Sequence, residues 1–252
     1  VTTYSYDALN RRVFSGFGAT AGPTYESTIS YAYDLYNRIT EAVDSLSGTI
    51  SFAYDDLART STSTTPQGTI TYTYDKVHRL SAKSVSGQPS INYVYDNANR
   101  LQTITQGLAG VAFTYDNANR PTSTILPNGV SEDYLYDDAS QLTAITVNNG
   151  EEVLGDLTYD YDKSGRRTKM GGSLARVLLP QPLSSATYNA ANRVTQSGAA
   201  TLTYDANGNL TSDGTNTYTW NARNQLSGIS GSVNANFQYD AFGRRVSKTI
   251  NG

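Results

Sequence analysis

The segment Tyr93-Val94-Tyr95-Asp96-Asn97-Ala98-Asn99-Arg100-Leu101 carries the local pattern from which the architecture of this chain can be worked out. Its two tyrosines lie two residues apart, which places them on the same face of a β-strand, and Val94 between them points to the other face. Aromatic and β-branched residues favour a pleated surface that is half buried. The segment therefore begins with a strand that has one aromatic face.

A turn follows this strand. The carboxylate of Asp96 can accept a hydrogen bond from a backbone N–H two residues further on, which starts a turn. Asn99 belongs to the residue types that tolerate a positive φ, and a type I turn followed by a left-handed residue is a common hairpin connection. Arg100 lies across the turn, so we expect it to pair with the aspartate or to stack on a tyrosine of the neighbouring hairpin.

The same phrase occurs twelve times, at spacings close to 20 residues. Such a period is typical of arrays of small units that bury their apolar faces only by stacking on one another. The turn of the repeat phrase has the aspartate, an Asn or Gly three residues later, and an arginine directly after that. In three repeats the Asn or Gly position holds Ala58, His78 or Ser140 instead, and we expect these turns to be looser or strained. The turn residues to which we assign a structural role are Asp7, Arg11, Asp34, Asn37, Arg38, Asp55, Arg59, Asp75, Arg79, Asp96, Asn99, Arg100, Asp116, Asn119, Arg120, Asp162, Gly165, Arg166, Asn192, Arg193, Asp205, Gly208, Asp240, Gly243 and Arg244.

A second strand and a second turn complete each repeat. An apolar residue such as Leu101 often follows the arginine, and a pair such as Ser47-Gly48 marks the second turn. Leu101 and Ile104 are three residues apart, so either a bulge or apolar contacts on both faces must be present. The sequence predicts an all-β chain, residues 1–252, in which about twelve antiparallel hairpins of about 20 residues form one curved or spiral sheet.

The composition favours many small contacts over one deep core. Hydrophobic residues make up 38% of the chain, and 20 residues are tyrosine, of which all but Tyr25 and Tyr36 lie in the aromatic positions of the repeat. Aromatic pairs on neighbouring strands contribute about 0.2–1 kcal/mol each. We therefore expect ladders of tyrosines to hold the array together.

Several functions are disfavoured by what the sequence lacks. The net charge is −3, and nine of the fourteen arginines are spread evenly along the repeats, whereas a nucleic-acid surface needs clustered basic residues. There is no apolar run long enough to span a membrane. With no cysteine and only His78, the chain offers no zinc site and no catalytic triad. We expect no enzyme activity and no cofactor.

Acidic residues are the remaining candidates for a metal site. One aspartate per repeat fits turn capping better than calcium binding, which needs several converging oxygens. The densest acidic stretch comprises Glu151, Glu152, Asp156, Asp160 and Asp162. We interpret it as a longer solvated loop, with a cation site as the alternative.

The tandem phrase Tyr-x-Tyr-Asp-x-x-Asn/Gly-Arg-Leu resembles the YD-repeat or Rhs-repeat family over essentially the whole chain. The segments Leu202–Leu210, Tyr218–Asn221 and Tyr239–Arg245 are similar to bacterial members of that family. The family includes Rhs polymorphic toxins, shell components of insecticidal toxin complexes and animal teneurins.

The resemblance implies a β-spiral that forms part of a hollow shell around a C-terminal toxin or another polypeptide cargo. It also implies a secreted or cell-surface protein of bacterial origin, whose partners are the rest of its own shell and the cargo. Self-cleavage does not carry over, because the chain has no Asp-Pro dipeptide and no recognisable core region.

A second hypothesis is an extracellular carbohydrate-binding or adhesion module that uses tyrosine ladders to bind glycans. The chain begins at Val1 and ends inside the repeat pattern, so we expect a piece of a longer array. Its open sheet edges would then offer unpaired backbone groups. We expect self-association through these edges, which could extend into a filament.

Overall fold

The computed structural model describes residues 1–19, 24–176 and 185–251, and all regular structure in these ranges is β-strand. This confirms the predicted all-β fold of tandem antiparallel hairpins. None of the described residues forms a helix that could span a membrane. The strands are β1 Thr2–Tyr6, β2 Arg12–Phe17, β3 Ser27–Tyr33, β4 Ile39–Asp44, β5 Gly48–Tyr54, β6 Thr60–Thr65, β7 Gly68–Tyr74, β8 Leu80–Val85, β9 Ile91–Tyr95, β10 Leu101–Gln106, β11 Ala109–Tyr115, β12 Pro121–Ile125, β13 Val130–Tyr136, β14 Leu142–Asn149, β15 Glu152–Tyr161, β16 Arg167–Gly171, β17 Ala186–Tyr188, β18 Val194–Ser197, β19 Ala200–Thr201, β20 Thr203–Tyr204, β21 Leu210–Ser212, β22 Thr217–Trp220, β23 Leu226–Ser230, β24 Ala235–Tyr239 and β25 Arg245–Ile250.

The strands pair in chain order. Strands β1 to β16 form a 16-stranded sheet, β17 to β19 a 3-stranded sheet, and β20 to β25 a 6-stranded sheet. Neighbouring strands are antiparallel, as in β9 with β10 and β10 with β11. Within each sheet the described strands therefore form a meander of hairpins, in which neighbours in sequence are neighbours in the sheet.

The chain divides into two compact units. The first consists of Val1–Thr69 together with Pro180–Gly252, and the second is Ile70–Leu179. The first unit thus contains repeats from both ends of the sequence. The expectation of one continuous array over residues 1–252 stays a prediction.

A bulge beside each Asp turn explains the irregular apolar spacing. In β9 and β10, Tyr95 lies opposite Leu101 and Tyr93 lies opposite Ile104, with a shift of register between Leu101 and Thr103. The extra residue, Gln102, turns the return strand by one position. Leu101 and Ile104 therefore share the aromatic face although they are three residues apart, which decides the alternative that the sequence left open in favour of the bulge.

The acidic stretch is not a loop. Residues Glu152–Tyr161 form β15, a strand of 10 residues, so the interpretation as a solvated loop was wrong. The alternation of Leu157, Tyr159 and Tyr161 lets this segment continue the sheet, and the carboxylates are accommodated along it. Asp156 accepts hydrogen bonds from the backbone N–H of Ser173 at 3.0 Å and from its hydroxyl at 2.8 Å.

Few side chains are fully buried. Among the described residues the buried hydrophobic side chains are Ile29, Ala42, Ile50, Ala235 and Ala241. Four of them form one cluster in the first unit, with Phe17, Tyr31 and Phe52 packed around it. Among the described residues the ring–ring contacts are Phe14 with Tyr25 and Phe52 with Phe242, so the ladders of tyrosines stay a prediction. The fold combines partly buried rings with one small core that joins distant repeats.

Candidate functional site

The Asp turn is the structural element that recurs along the chain, and Asp96 shows how it is built. Its backbone carbonyl accepts from the N–H of Asn99 at 3.0 Å, and its N–H donates to the carbonyl of Arg100 at 2.9 Å. Its Oδ1 accepts from the N–H groups of Ala98 and Arg100, both at 2.9 Å. The Nε of Arg100 donates to Oδ2 at 2.7 Å. The carboxylate of Asp96 therefore accepts hydrogen bonds both from backbone N–H groups of the turn and from the side chain of the arginine that follows it.

The arginine of one turn also holds the turn of the next repeat. The Nη1 of Arg100 donates to the carbonyl oxygen of Asp116 at 3.0 Å and to Oδ1 of Asn119 at 2.9 Å. Its guanidinium lies 4.7 Å from the ring centroid of Tyr115, within the range of a cation–π contact. This arginine thus pairs with its own aspartate and stacks on the next repeat, which are the two roles expected for the position.

The tyrosine of the following repeat forms a hydrogen bond back to the repeat of Arg100. The hydroxyl of Tyr115 donates to the carbonyl oxygen of Leu101 at 2.8 Å. Trp220 occupies the corresponding position in its repeat, and its Nε1 donates to the carbonyl of Leu210 at 2.8 Å. An indole N–H can thus replace the phenol because both present one donor at the end of a flat ring.

The structure brings most of the predicted turn residues together in pairs. Ion pairs join Asp7 with Arg11, Asp34 with Arg38, Asp55 with Arg59, Asp75 with Arg79, Asp96 with Arg100, Asp116 with Arg120, Asp162 with Arg166 and Asp240 with Arg244. Cross-repeat hydrogen bonds run from Arg11 to Asn37, from Arg79 to Asn99, from Arg100 to Asn119 and from Arg120 to Ser140. Gly165, Gly208, Gly243 and Asn192 have positive φ values of 76°, 91°, 76° and 58°.

Four repeats depart from the pattern of one aspartate and one arginine. In two of them Gln141 and Gln225 stand where arginine is usual, and the other two are the repeats of Asn189 and Asp205. Asn189 replaces aspartate, and the buried Nε of Arg193 then has no hydrogen-bond partner. Arg193 still stacks over Tyr204 at 5.3 Å. In another repeat, Asn209 stands where arginine is usual, and its Nδ2 donates to Oδ2 of Asp205 at 2.9 Å. The ion pair is thus replaced by weaker contacts.

The three turns without Asn or Gly are not looser than the others. Ala58, His78 and Ser140 have φ values of 63°, 69° and 62°, close to the 64° of Asn99. Their N–H groups donate to the preceding aspartate carbonyl at 2.9 to 3.0 Å. The surrounding hydrogen bonds therefore impose the left-handed conformation on residues that do not favour it.

Hydrogen bonding stabilises the ionised form of the turn carboxylates of Asp7, Asp96 and Asp116. The pKa of Asp96 lies below its ordinary value, first because the backbone N–H of Arg100 donates to it and then because the guanidinium of Arg100 does. Partial desolvation opposes this effect and raises the pKa. The same balance holds the pKa of Asp7 and of Asp116 below the ordinary value.

A second contact within the first unit joins repeats that are far apart in sequence. The guanidinium of Arg223 binds Asp44 in a bidentate manner, from Nη1 to Oδ2 and from Nη2 to Oδ1, both at 2.7 Å. Its Nε donates to the hydroxyl of Ser27 at 3.1 Å, and its Cζ lies 5.0 Å from the centroid of the Phe17 ring. The side chains of Arg223 and Asp44 are 6% and 0% exposed. This is a buried, fully engaged ion pair.

The last Asp turn docks beside this ion pair. Ala241, the residue after Asp240, joins Ile29, Ala42 and Ile50 in the buried cluster. The ring of Phe242 lies 5.9 Å from that of Phe52. Two consecutive Asp turns of the last repeats, residues 221–224 and 240–243, are therefore seated on the aromatic face of β3, β4 and β5.

Sequence reasoning did not find this contact. Arg223 and Asp44 are separated by 179 positions, and no local pattern connects them. The available signal was that Arg223 is an arginine two residues after the turn position Asn221, where several other repeats have leucine, valine or alanine. The isolated Asp44, outside the repeat phrase, was the matching signal on the other side.

The comparisons with known proteins agree with the repeat geometry. A family model described as Teneurin YD-shell matches residues 26–154 and 130–252. No curated protein matches the chain at a significant level. The family match thus extends over most of the sequence.

Solved structures show the same fold. The crystal structure of TcdB2-TccC3-TEV has a TM-score of 0.60 at 14% identity and matches 98% of this chain and 19% of its own. A Photorhabdus luminescens Tc holotoxin pore with a mutation in TccC3 has a TM-score of 0.58, also at 14% identity, with 98% and 19% covered. A crystal structure of TcdB2-TccC3 has a TM-score of 0.53 at 15% identity, with 98% and 16% covered.

This chain spans 19% of the length of the first two of those solved chains. At this level of identity the likeness concerns the fold, while the family model concerns the sequence itself. Because that model matches more than half of the residues, and because the Asp turns that define the repeat recur along the described chain, the protein belongs to the Teneurin YD-shell family.

Proposed function

We propose that this chain is a section of shell wall that encloses or displays a polypeptide cargo. The observation that carries the proposal is the bond from one turn to the next, seen where Arg100 binds Asp116 and Asn119. It makes neighbouring hairpins one continuous surface. The family to which the chain belongs is a shell family, which supports a structural role.

The contacts that the turn arginines and tyrosine rings make with one another favour a structural wall over a catalytic site. The turn arginines are held by aspartates, by backbone carbonyls and by tyrosine rings, so their charge is used inside the wall. The proposal therefore assigns no catalysis to the chain. It includes an extracellular or secreted location and a polypeptide cargo, since the solved relatives are named as TcdB2-TccC3 complexes and a Tc holotoxin pore.

Limited proteolysis of the full-length protein tests whether the wall encloses a polypeptide. We expect one polypeptide segment to resist protease while the wall is intact and to be digested once Arg100→Ala and Arg120→Ala open the links between repeats. Arg176→Ala is the matched control, because Arg176 is exposed and lies outside the turn positions. A product in which no segment is protected, or whose cleavage is the same with and without the turn substitutions, would refute enclosure.

The carbohydrate-binding hypothesis remains a separate prediction. The ring of Tyr115 is covered by Arg100 and its hydroxyl donates to the wall itself, so this ring is already used for packing. Screening the protein on a glycan array decides the matter. Specific, saturable binding of one class of glycan would favour the adhesion module over the wall.

A further inference from the structure

The surface that receives the docked turns in the first unit is defined by strand register. Ile29 and Ile50 each lie two residues before an aromatic position, and Ala42 pairs with both Tyr31 and Ile50. Ile29, Ala42 and Ile50 are 3%, 0% and 1% exposed, because Ala241 of the last turn and the rings around the cluster cover them together. We call these three residues the occupied socket.

The second unit carries the same arrangement at the same register. Ile91 lies two residues before Tyr93, and Ile104 pairs with both Tyr93 and Val111. Ile91, Ile104 and Val111 therefore correspond to Ile29, Ala42 and Ile50. They line an apolar groove together with Gly110 and Pro127, and all three remain partly exposed. We call them the open socket.

One difference between the two sockets defines what the open socket can bind. In the occupied socket Asp44 lies opposite Ile29 and binds Arg223. In the open socket the position opposite Ile91 is Gln106, which has no charge to neutralise an arginine. An arginine-bearing turn would lose its ion pair there, so the open socket suits an Asp turn with apolar side chains.

Turns of that kind are exposed in the first four repeats, the fourth through Val77, which is 60% exposed two residues after Asp75. In the turns that follow Asp7, Asp34 and Asp55, the large apolar side chains point to solvent. Leu9 is 67% exposed, Leu35 98%, Tyr36 78% and Leu57 57%. Leu9, Tyr36 and Leu57 each lie two residues after the aspartate, the position that Arg223 and Phe242 hold in the docked turns. Isolated apolar residues on a surface need no explanation, but a row at one repeat position does.

We propose that the open socket of one molecule binds the Leu35–Tyr36 turn of a second copy of this chain. The contact copies the one already formed inside the first unit, with an apolar side chain in place of Arg223. It joins different surfaces on the two copies, so it is head-to-tail. It uses the face and turns of the hairpins and leaves the sheet edges free.

Sedimentation velocity over a concentration series tests the contact. We expect the mean mass of the unaltered protein to rise with concentration. Leu35→Ser combined with Tyr36→Ser removes the turn side chains, and Ile104→Asp places a charge in the open socket. Each variant should weaken association by about tenfold or more, the effect of one buried apolar side chain. Leu135→Ser and Val94→Asp are matched controls, because both residues are exposed outside the two surfaces.

Mixing the two variants distinguishes this contact from any other. The Ile104→Asp chain retains its turn and the Leu35→Ser, Tyr36→Ser chain retains its socket, so the mixture should form pairs of two chains with the affinity of the unaltered contact, although each variant alone associates more weakly by about tenfold or more. A mass that is independent of concentration for the unaltered protein overturns the proposal. So does association that survives both variants, which would indicate pairing at the sheet edges.

Introducing the ion pair of the occupied socket at the open socket gives a second test, which does not require the Ile104→Asp variant to fold. Gln106→Asp gives the open socket the carboxylate of the occupied one, and Tyr36→Arg gives the turn the arginine of residue 223. Chains with both changes should associate in a salt-sensitive manner, whereas Tyr36→Arg alone should not associate. If the double variant behaves like Tyr36→Arg alone, the assigned register is wrong.

Discussion

Replacing Arg223 by methionine removes the charge that neutralises Asp44 while keeping most of the aliphatic stem. Asp44 is 0% exposed and Arg223 6%, so the remaining carboxylate would have neither solvent nor a counter-charge. Breaking a buried ion pair from one side costs about 3–5 kcal/mol. The lost stacking on Phe17 adds about 0.5–2 kcal/mol. We expect the first unit to lose at least about 4 kcal/mol of its free energy of unfolding.

Urea unfolding of the first unit measures this loss. Trp220, the one tryptophan of the chain, lies in β22 of that unit, so its fluorescence reports on the repeats that dock. At about 2–4 °C per kcal/mol the midpoint of thermal unfolding should fall by about 10 °C. A loss below about 1 kcal/mol, the range of exposed ion pairs, would refute the view that this contact holds the distant repeats together.

The double variant Arg223→Met with Asp44→Asn separates the cost of an unpaired charge from the value of the pair. No charge is then left in the site, and the introduced amide oxygen can still accept from the N–H of Leu46, as the Asp44 carboxylate does at 2.9 Å. Replacing a buried pair by neutral groups is often close to neutral. We expect the double variant to recover most of the loss, and a double variant as unstable as Arg223→Met alone would contradict the explanation.

Three further changes test the repeat turn. Asn189→Asp gives the buried Nε of Arg193 an acceptor and should stabilise by about 1 kcal/mol in urea unfolding, whereas the same change at Asn221, whose amide donates to a neighbouring glutamine oxygen, should destabilise. Asn99→Val places a β-branched residue at a φ of 64° and should cost about 1–2 kcal/mol, while Asn97→Val in the same turn serves as the control with little effect. The pKa values of Asp7, Asp96, Asp116 and Asp44 lie below the ordinary value, so the stability that these carboxylates contribute should be complete above the unfolded pKa of about 4 and disappear as the pH falls through the lower folded values. Stability that stays constant from about pH 5 to about pH 2 would contradict this assignment.

The sign for Asp44 follows from two opposed causes. Burial by itself raises the pKa of this carboxyl, but hydrogen bonds from Arg223, from the backbone N–H of Leu46 and from the hydroxyl of Ser47 lower it by more. The folded pKa is therefore lower than the unfolded one. Acid should release the docked turns of the first unit because protonation of Asp44 removes the partner of Arg223.

The hairpins and their Asp turns could be predicted from the sequence because each turn is defined by residues that are close together in the chain. Asp96, Asn99 and Arg100 interact within five residues, and their chemistry defines the turn without reference to the rest of the chain. The bulge at Gln102 was one of two alternatives, since apolar spacing alone cannot distinguish it from contacts on both faces.

Three other features could not be predicted, because the repeat pattern carries no signal for the contacts that determine them. The strand over Glu152–Tyr161 was missed because its carboxylates outweighed its alternating Leu157, Tyr159 and Tyr161. The contact of Arg223 with Asp44 depends on how the repeats pack at long range. For Ala58 and His78, propensity indicated a distorted turn, and neighbouring hydrogen bonds overrode that preference.

The bond from an arginine to the following turn gives the array a direction. Arg79 reaches forward to Asn99, and Arg100 reaches forward to Asn119; each is completed by a repeat that the ribosome makes later. On a newly made hairpin, water therefore holds part of the guanidinium's hydrogen bonds until the next hairpin emerges and replaces it. Growth at the C-terminal side is thereby favoured one hairpin at a time, and an error in one repeat deprives the repeat before it of its partner.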